Sequence, residues 1–244
     1  MPSLKSSRSS IDQRFQFIVA TIYVLMIPLV IWALANQWMA YAKARDALRD
    51  FETFRMTLDV LLDLSAERTA AFTALEDNAP TFTERQAKLA ETRRTVDDDL
   101  AALRARLETT ACEPCGDLVA AADRAQSQLQ DARRLINASV GAQPADRSVD
   151  QINNAMDDLA DVTPQVNSIA ASLAPGIIQR DAYAVRYLYV AGFTALLRDN
   201  ASLLGSQISE ALTTGRPLSS DENLRIEQIM GKINQLYTLV RSTM

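Results

Sequence analysis

The chain has no histidine, two cysteines, seven glycines and eight prolines in 244 residues. Without histidine there is no imidazole acid, base or metal ligand, and no Ser-His or Cys-His nucleophile pair. Two cysteines alone cannot build a usual structural zinc site. No glycine-rich phosphate loop or dinucleotide fingerprint is present. No catalytic site, metal site or cofactor is therefore expected. Basic charge is also short. Lys5, Arg8, Arg14 and Asp12 are the charges before residue 42, which leaves 22 Lys and Arg against 29 Asp and Glu in the remainder. An acidic body argues against a nucleic-acid partner. No segment alternates apolar and polar residues long enough to argue a sheet, and the scarcity of Gly and Pro favours long helices.

What the chain does have is an uncharged run from Phe15 to Ala42. A helix needs about 20 apolar residues to cross the hydrocarbon core, and this run suffices. Trp32, Trp38 and Tyr41 stand near its far end, where amphipathic rings favour the interface. Pro28 falls inside it, which membrane helices tolerate. Ala33-Leu34-Ala35 offers a competing signal-peptidase site, but the run exceeds the usual h-region of about 7–15 residues. The expected division is a cytoplasmic tail over 1–14, a transmembrane helix over 15–42 and a periplasmic domain over 43–244. The expected setting is a bacterial inner membrane, crossed once, in contact with its lipid.

Beyond the run the helical pattern continues. Phe51, Phe54, Leu58, Leu61, Ser65, Arg68, Phe72 and Leu75 follow at alternating spacings of three and four, which places them on one helix stripe. This stripe serves either as intramolecular core or as a parallel homodimer seam. Later punctuation predicts further helices. One is opened by Thr83 with Gln86, and one spans about 117–139. Another is capped by Ser148 with Gln151, interrupted at Thr163-Pro164 and ended near Ala174-Pro175-Gly176. A long helix covers about 177–214 with Gly215 as its C′ residue, and Ser219 with Glu222 caps the last. In the long helix, Tyr183, Arg186, Val190, Phe193, Leu197, Asn200, Leu204, Gln207 and Ala211 form a second heptad row. The expected fold is all-α: an N-terminal transmembrane helix continuing into an elongated bundle of about six helices, either one bundle or two stacked four-helix-like bundles. Leu64 to Leu107 and Phe193 to Val240 read as two copies of a weak repeat.

Arg68 is the leading ligand-binding candidate. Its planar fork of donors matches an oxyanion, and its place on an apolar seam demands a compensating charge. The alternatives are an internal salt bridge to a carboxylate such as Asp199 or Asp63, or snorkelling to the surface. Ser65, one turn earlier, is either an added hydroxyl donor or a small residue at a crowded contact. Arg186, Arg198 and Asn200 on the long helix are secondary ligand-binding candidates, with plain surface charge as the alternative for the two arginines. Cys112 and Cys115 form a C-x-x-C in a turn, a candidate disulfide.

The segment Leu64-Ser65-Ala66-Glu67-Arg68-Thr69-Ala70-Ala71 resembles the Leu-x-x-Glu-Arg-small signature of nitrate- and nitrite-sensing (NIT) domains. Ala211-Leu212-Thr213-Thr214-Gly215-Arg216, followed by a capped helix, resembles the second half of that family. The resemblance covers most of residues 45 to 242. It implies an all-helical periplasmic input module of a transmembrane receptor, commonly dimeric. Such a module controls a chemoreceptor, kinase or cyclase output, expected beyond Met244 if the chain is an excerpt of a longer receptor, the alternative being a protein that has lost its output. It also implies a nitrate or nitrite ligand held by arginines, with Arg68 carried over by the motif. Where the family repeats a Glu-Arg pair in its second half, this chain has Leu204 and Gly205. The alternatives from other classes are a membrane-anchored helical scaffold without a small ligand, and a four-helix module that senses through a binding protein.

Overall fold

The computed structural model describes residues 6–75, 82–109, 115–141, 149–181, 183–214 and 217–243. Among them every residue is helical except Asp161, Asp181, Tyr183 and 217–219, so the fold is all-α. The helices are α1 (Ser6–Leu75), α2 (Phe82–Thr109), α3 (Cys115–Gly141), α4 (Val149–Ala160), α5 (Val162–Arg180), α6 (Ala184–Thr214) and α7 (Ser220–Thr243). The chain divides into two compact units, Met1–Asp46 and Ala47–Met244.

In the first unit, no described side chain between 15 and 42 is buried. Thr21 satisfies its hydroxyl within the helix, donating to the Phe17 carbonyl at 2.8 Å. This is one helix long and apolar enough to cross a membrane.

The second unit is a helical bundle in which α1 is central. The stripe Phe54, Leu58, Leu61, Ser65, Arg68, Phe72 and Leu75 is buried, as intramolecular core and not as an exposed seam. A second stripe, Thr53, Thr57, Val60, Leu64, Glu67, Ala71 and Ala74, is buried as deeply. Two buried stripes side by side mean that neighbours cover α1 on two faces. Cross-pairs give the directions. Arg106 meets Glu52 while Arg85 reaches the Thr73 carbonyl, so α2 runs antiparallel to α1. Arg104 pairs with Asp123 and Arg93 with Asn137, so α3 reverses again. Arg180 pairs with Asp50 at one end of α5. α6 returns parallel to α1, with Asp199 beside Arg68 and Ser202 beside Thr69. Leucines at 89, 100, 103 and 107 of α2 and 129 of α3 fill the core, with Ala121, Ala122, Ala125 and Ala132 allowing close helix approach.

Three breaks differ from the expected places. α4 gives way to α5 at Asp161, not at Thr163-Pro164. Pro164 instead sits in the first turn of α5, where a missing N–H costs nothing. α5 also passes through Pro175 to Arg180. An internal proline costs about 3 kcal/mol. Burial of Ile177 beyond it and the Arg180–Asp50 pair hold the last turn in place. The real break is at Asp181, whose carboxylate accepts the Tyr183 N–H at 2.9 Å in an Asx turn. Thr83 falls inside the first turn of α2, not before it.

The Ser219–Glu222 cap is as expected. The Ser219 N–H donates to Glu222 at 2.7 Å, and the Glu222 N–H to the Ser219 hydroxyl at 3.2 Å. From there α7 covers one stripe only, with Ile226, Ile229, Ile233, Leu236 and Val240 facing inward. The proposed heptad row of α6 is not its core face. Its described members from Val190 to Gln207 are half-buried, Tyr183 and Arg186 are exposed, and among the described side chains of α6 Leu188 and Ala195 are the buried ones. The C-x-x-C pair lies outside the described residues, apart from the helical backbone of Cys115. So do Ser148, Ala211's side chain and Gly215.

Candidate functional site

Residues 67 and 68 stand side by side on α1, about 100° apart around its axis. Each therefore faces a different set of neighbours. Both are buried, Glu67 completely and Arg68 to 2% exposure.

Arg68 points at α6. Its Nη2 donates to the Asp199 carboxylate at 2.6 Å and to the Asp199 backbone carbonyl at 3.2 Å. The internal salt bridge weighed for this residue is thus present, with Asp199 as partner and not Asp63. The Arg68 Nε remains buried with no acceptor, and a buried donor left unsatisfied costs about 1–3 kcal/mol. Arg68 also lines a cavity of about 40 Å³, together with Phe72, Asn153, Met156, Asp157, Leu203, Ser206, Gln207, Glu222 and Arg225. A water needs about 10–15 Å³ on this measure, so the cavity has room for a few heavy atoms. Four helices meet there: α1, α4, α6 and α7. A second guanidinium, Arg225, pairs with Asp157 at 3.3 Å.

A larger cavity of about 320 Å³ lies between α1, α5 and α6, walled by residues such as Phe54, Leu58, Ala174, Leu188, Gly192 and Phe193. It is far roomier than the first, though open grooves of about 550 and 460 Å³ elsewhere are larger still. None of its lining residues is charged, so an ion there would lose its hydration uncompensated. Of these two, the small cavity is the one suited to an ionic ligand, and the arginines that line the open grooves, Arg186, Arg55 and Arg106, are less buried than Arg68.

The other sequence candidates fall elsewhere. Ser65 is buried beside Arg68 but does not line the cavity. Its carbonyl accepts the Thr69 hydroxyl at 3.0 Å. Asn200 turns its amide onto its own helix, donating to the Leu196 carbonyl at 2.8 Å. Arg186 is exposed beside Phe51 and Tyr187, and Arg198 is exposed near Asp63. None of these reaches the Arg68 cavity. Gly205 supplies no cation, and the other arginine that lines the cavity is Arg225 on the following helix. The signal for it was the Ser219–Glu222 cap. That cap places Arg225 in the first turns of a helix that starts beside the end of α6.

Glu67 points the other way, at α2 and α3. Arg133 grips its carboxylate with two donors, Nε at 2.7 Å and Nη2 at 2.8 Å. Arg133 also donates to Asp97 at 2.6 Å and to the Arg93 carbonyl at 3.2 Å. Arg93 lies 3.4 Å from the same Glu67 oxygen and donates to Asn137 at 2.7 Å. Burial disfavours charge on both guanidiniums. At Arg93 burial prevails over Glu67 and lowers the pKa. At Arg133 burial is outweighed by the hydrogen bonds to Glu67 and Asp97, and the pKa rises. Glu67 was missed as a core residue because a lone acid on a helix reads as solvated surface.

A third polar group joins Asp63 of α1 to Asp99 of α2. Burial, the hydrogen bond with Asp99 and the charges of Asp99 and Asp59 push Asp63 up to about 6, against the opposing pull of Arg198. A raised carboxyl pKa makes the native state hold a proton that the unfolded chain has released. Stability from this site is therefore present in acid and declines as pH rises from about 4 towards 6. Asp63→Asn is expected to flatten that slope and raise the melting temperature at pH 7.5. Melting curves of both proteins between pH 4 and 8 check this, and an unchanged slope refutes it.

Among the described residues, no three His, Cys, Asp or Glu side chains come together as a metal-ligand set. No family model matches the chain, no curated protein matches it, and no solved structure matches its fold.

Proposed function

We propose that this chain is a membrane-anchored sensory input module that binds a small oxyanion, nitrate or nitrite in the first instance, at the Arg68 cavity. The observation that carries the reading is a guanidinium with 2% exposure. Its Nε lacks an acceptor, and it stands on the wall of a small cavity of mixed polar and apolar lining that a second arginine, Arg225, also lines. Such a donor set fits an anion's lone pairs, and a bound anion would satisfy the orphan N–H. The resemblance of the Glu67-Arg68 segment to nitrate- and nitrite-sensing domains points the same way. In this reading the N-terminus is cytoplasmic and the second unit periplasmic, since long domains translocate largely regardless of their charge. α1 carries both Arg68 and the apolar run, so it is the element through which an output module, and a partner copy in a homodimer, would receive the change.

Thermal melting of the full chain in nanodiscs with nitrate, nitrite, formate, chloride and sulfate tests the proposal. The planar monoanions are expected to raise the melting temperature. A ligand at 100 times its Kd adds about 2.7 kcal/mol. Arg225→Gln, at a half-exposed position, should retain the fold and reduce the shift. No shift with any anion overturns the proposal, and a full shift in both Arg225→Gln and Arg68→Met overturns the site.

One observation favours a second reading. Asp199 already neutralises Arg68, which is what a helical scaffold with no small ligand would need. The same melts separate the two, because a scaffold responds to none of the anions beyond their general salt effect.

A further inference from the structure

We propose that Asp199 is a built-in competitor for the anion site, so that ligand enters by exchanging with a carboxylate and in doing so releases α6 from α1. This rests on the oxyanion reading above and adds the means by which the site is closed and coupled. Arg68 and Asp199 belong to different helices, separated by 131 positions in the chain. Their bond is short at 2.6 Å and nearly dry, with the carboxylate only 16% exposed. A carboxylate and nitrate or formate offer a guanidinium the same planar pair of oxygens. Asp199 thus holds the Nη2 donor that a ligand entering from the cavity needs if it is to take the guanidinium with both of its oxygens.

The cavity's other charges sharpen the point. Arg225 is likewise held by a carboxylate, Asp157. Glu222 also lines the cavity, with its carboxylate engaged by the Ser219 N–H. Three acids therefore surround two guanidiniums. A dianion such as sulfate meets net repulsion there, whereas a planar monoanion can replace Asp199 one charge for one charge. The consequence for α6 is mechanical. When the Asp199 carboxylate is displaced, the one short charge-to-charge bond described between α1 and α6 is lost, which leaves weaker ties such as Arg68 to the Asp199 carbonyl at 3.2 Å and the Thr69 and Ser202 hydroxyls at 3.1 Å. Ligand then binds the α6-released arrangement better than the closed one, which is the inequality that any signal requires.

The experiment uses the full chain in nanodiscs, as wild type and as Asp199→Asn, which keeps the shape and removes the charge. Nitrate, formate and sulfate binding is measured by calorimetry. The α1–α6 separation is measured by electron–electron resonance between spin labels at the exposed positions Arg55 and Ala201, with Cys112 and Cys115 replaced by serine. Asp199→Asn is expected to bind nitrate and formate at least about tenfold tighter, because the competing closed state is depleted. Without ligand its distance distribution should match that of nitrate-saturated wild type, and sulfate should bind neither protein. Wild-type spectra with and without nitrate give a readout independent of the variant's folding. If wild type binds nitrate but Asp199→Asn binds no tighter, or if nitrate leaves the wild-type distances unchanged, the competitor role is overturned while anion binding stands. If neither protein binds nitrate or formate, the anion reading is overturned and the competitor role with it.

Discussion

Glu67→Ala is expected to destabilise the second unit by about 3–5 kcal/mol, the range for removing one partner of a buried ion pair. Glu67 is fully buried and accepts two hydrogen bonds from Arg133, with Arg93 beside it. Without its carboxylate, two largely buried guanidiniums face each other, with Asp97 and Asn137 as their remaining side-chain partners among the described residues. Urea unfolding of the full chain in detergent, followed by circular dichroism, measures the loss. The diagnostic arm is the triple variant Glu67→Leu, Arg93→Leu, Arg133→Met. An apolar replacement of a buried network is often neutral or stabilising, so the triple variant should recover most of what Glu67→Ala loses. If Glu67→Ala costs under about 1 kcal/mol, the network is held by water and not by the carboxylate.

Arg68→Met should cost about 3 kcal/mol or more for the same reason, because it strands Asp199 at a largely buried position. Asp199→Leu alone should cost a similar amount by stranding the guanidinium. The double variant should lose much less than the sum. Coupling between contacting residues commonly falls between about 0.5 and 3 kcal/mol, and this pair is expected near the upper end. Additive losses in the same unfolding assay would mean that the bond at 2.6 Å contributes nothing to stability. The two networks lie on different faces of α1, so the Glu67 and Arg68 variants should not couple strongly if each network is self-contained.

Much of this was legible in the residues. The stripe from Phe54 to Leu75 repeats at helical spacing, and one arginine in it was enough to predict a buried cation. Asp199 and Asp63 were the two carboxylates offered as its partner, and Asp199 is the one that meets it. The last helix declared its start through a capping box whose two hydrogen bonds are both present. What stayed hidden was the second stripe of α1. Thr53, Thr57 and Glu67 look polar in the sequence, yet each threonine hydroxyl bonds the carbonyl one turn back and Glu67 finds its arginines on other helices. Pro175 misled in the opposite direction. Local rules end a helix there, but packing of Ile177 and the Asp50 partner of Arg180 lie further on and override them. Arg225 was not singled out: the cap announced its helix, but its place beside Arg68 comes from the packing of α7 against α6.

The adjacency of Glu67 and Arg68 has a consequence for how α1 can move. Turning this helix about its own axis by one residue's angle, about 100°, would bring a guanidinium round to Arg133 and Arg93. Three cations would then share one dry pocket, while the carboxylate was carried away from them. The dipeptide therefore fixes the azimuth of α1 within its bundle, much as a key fixes a shaft. Torsion is the costly coordinate, and the displacements left open are sliding along the axis or the departure of a neighbour.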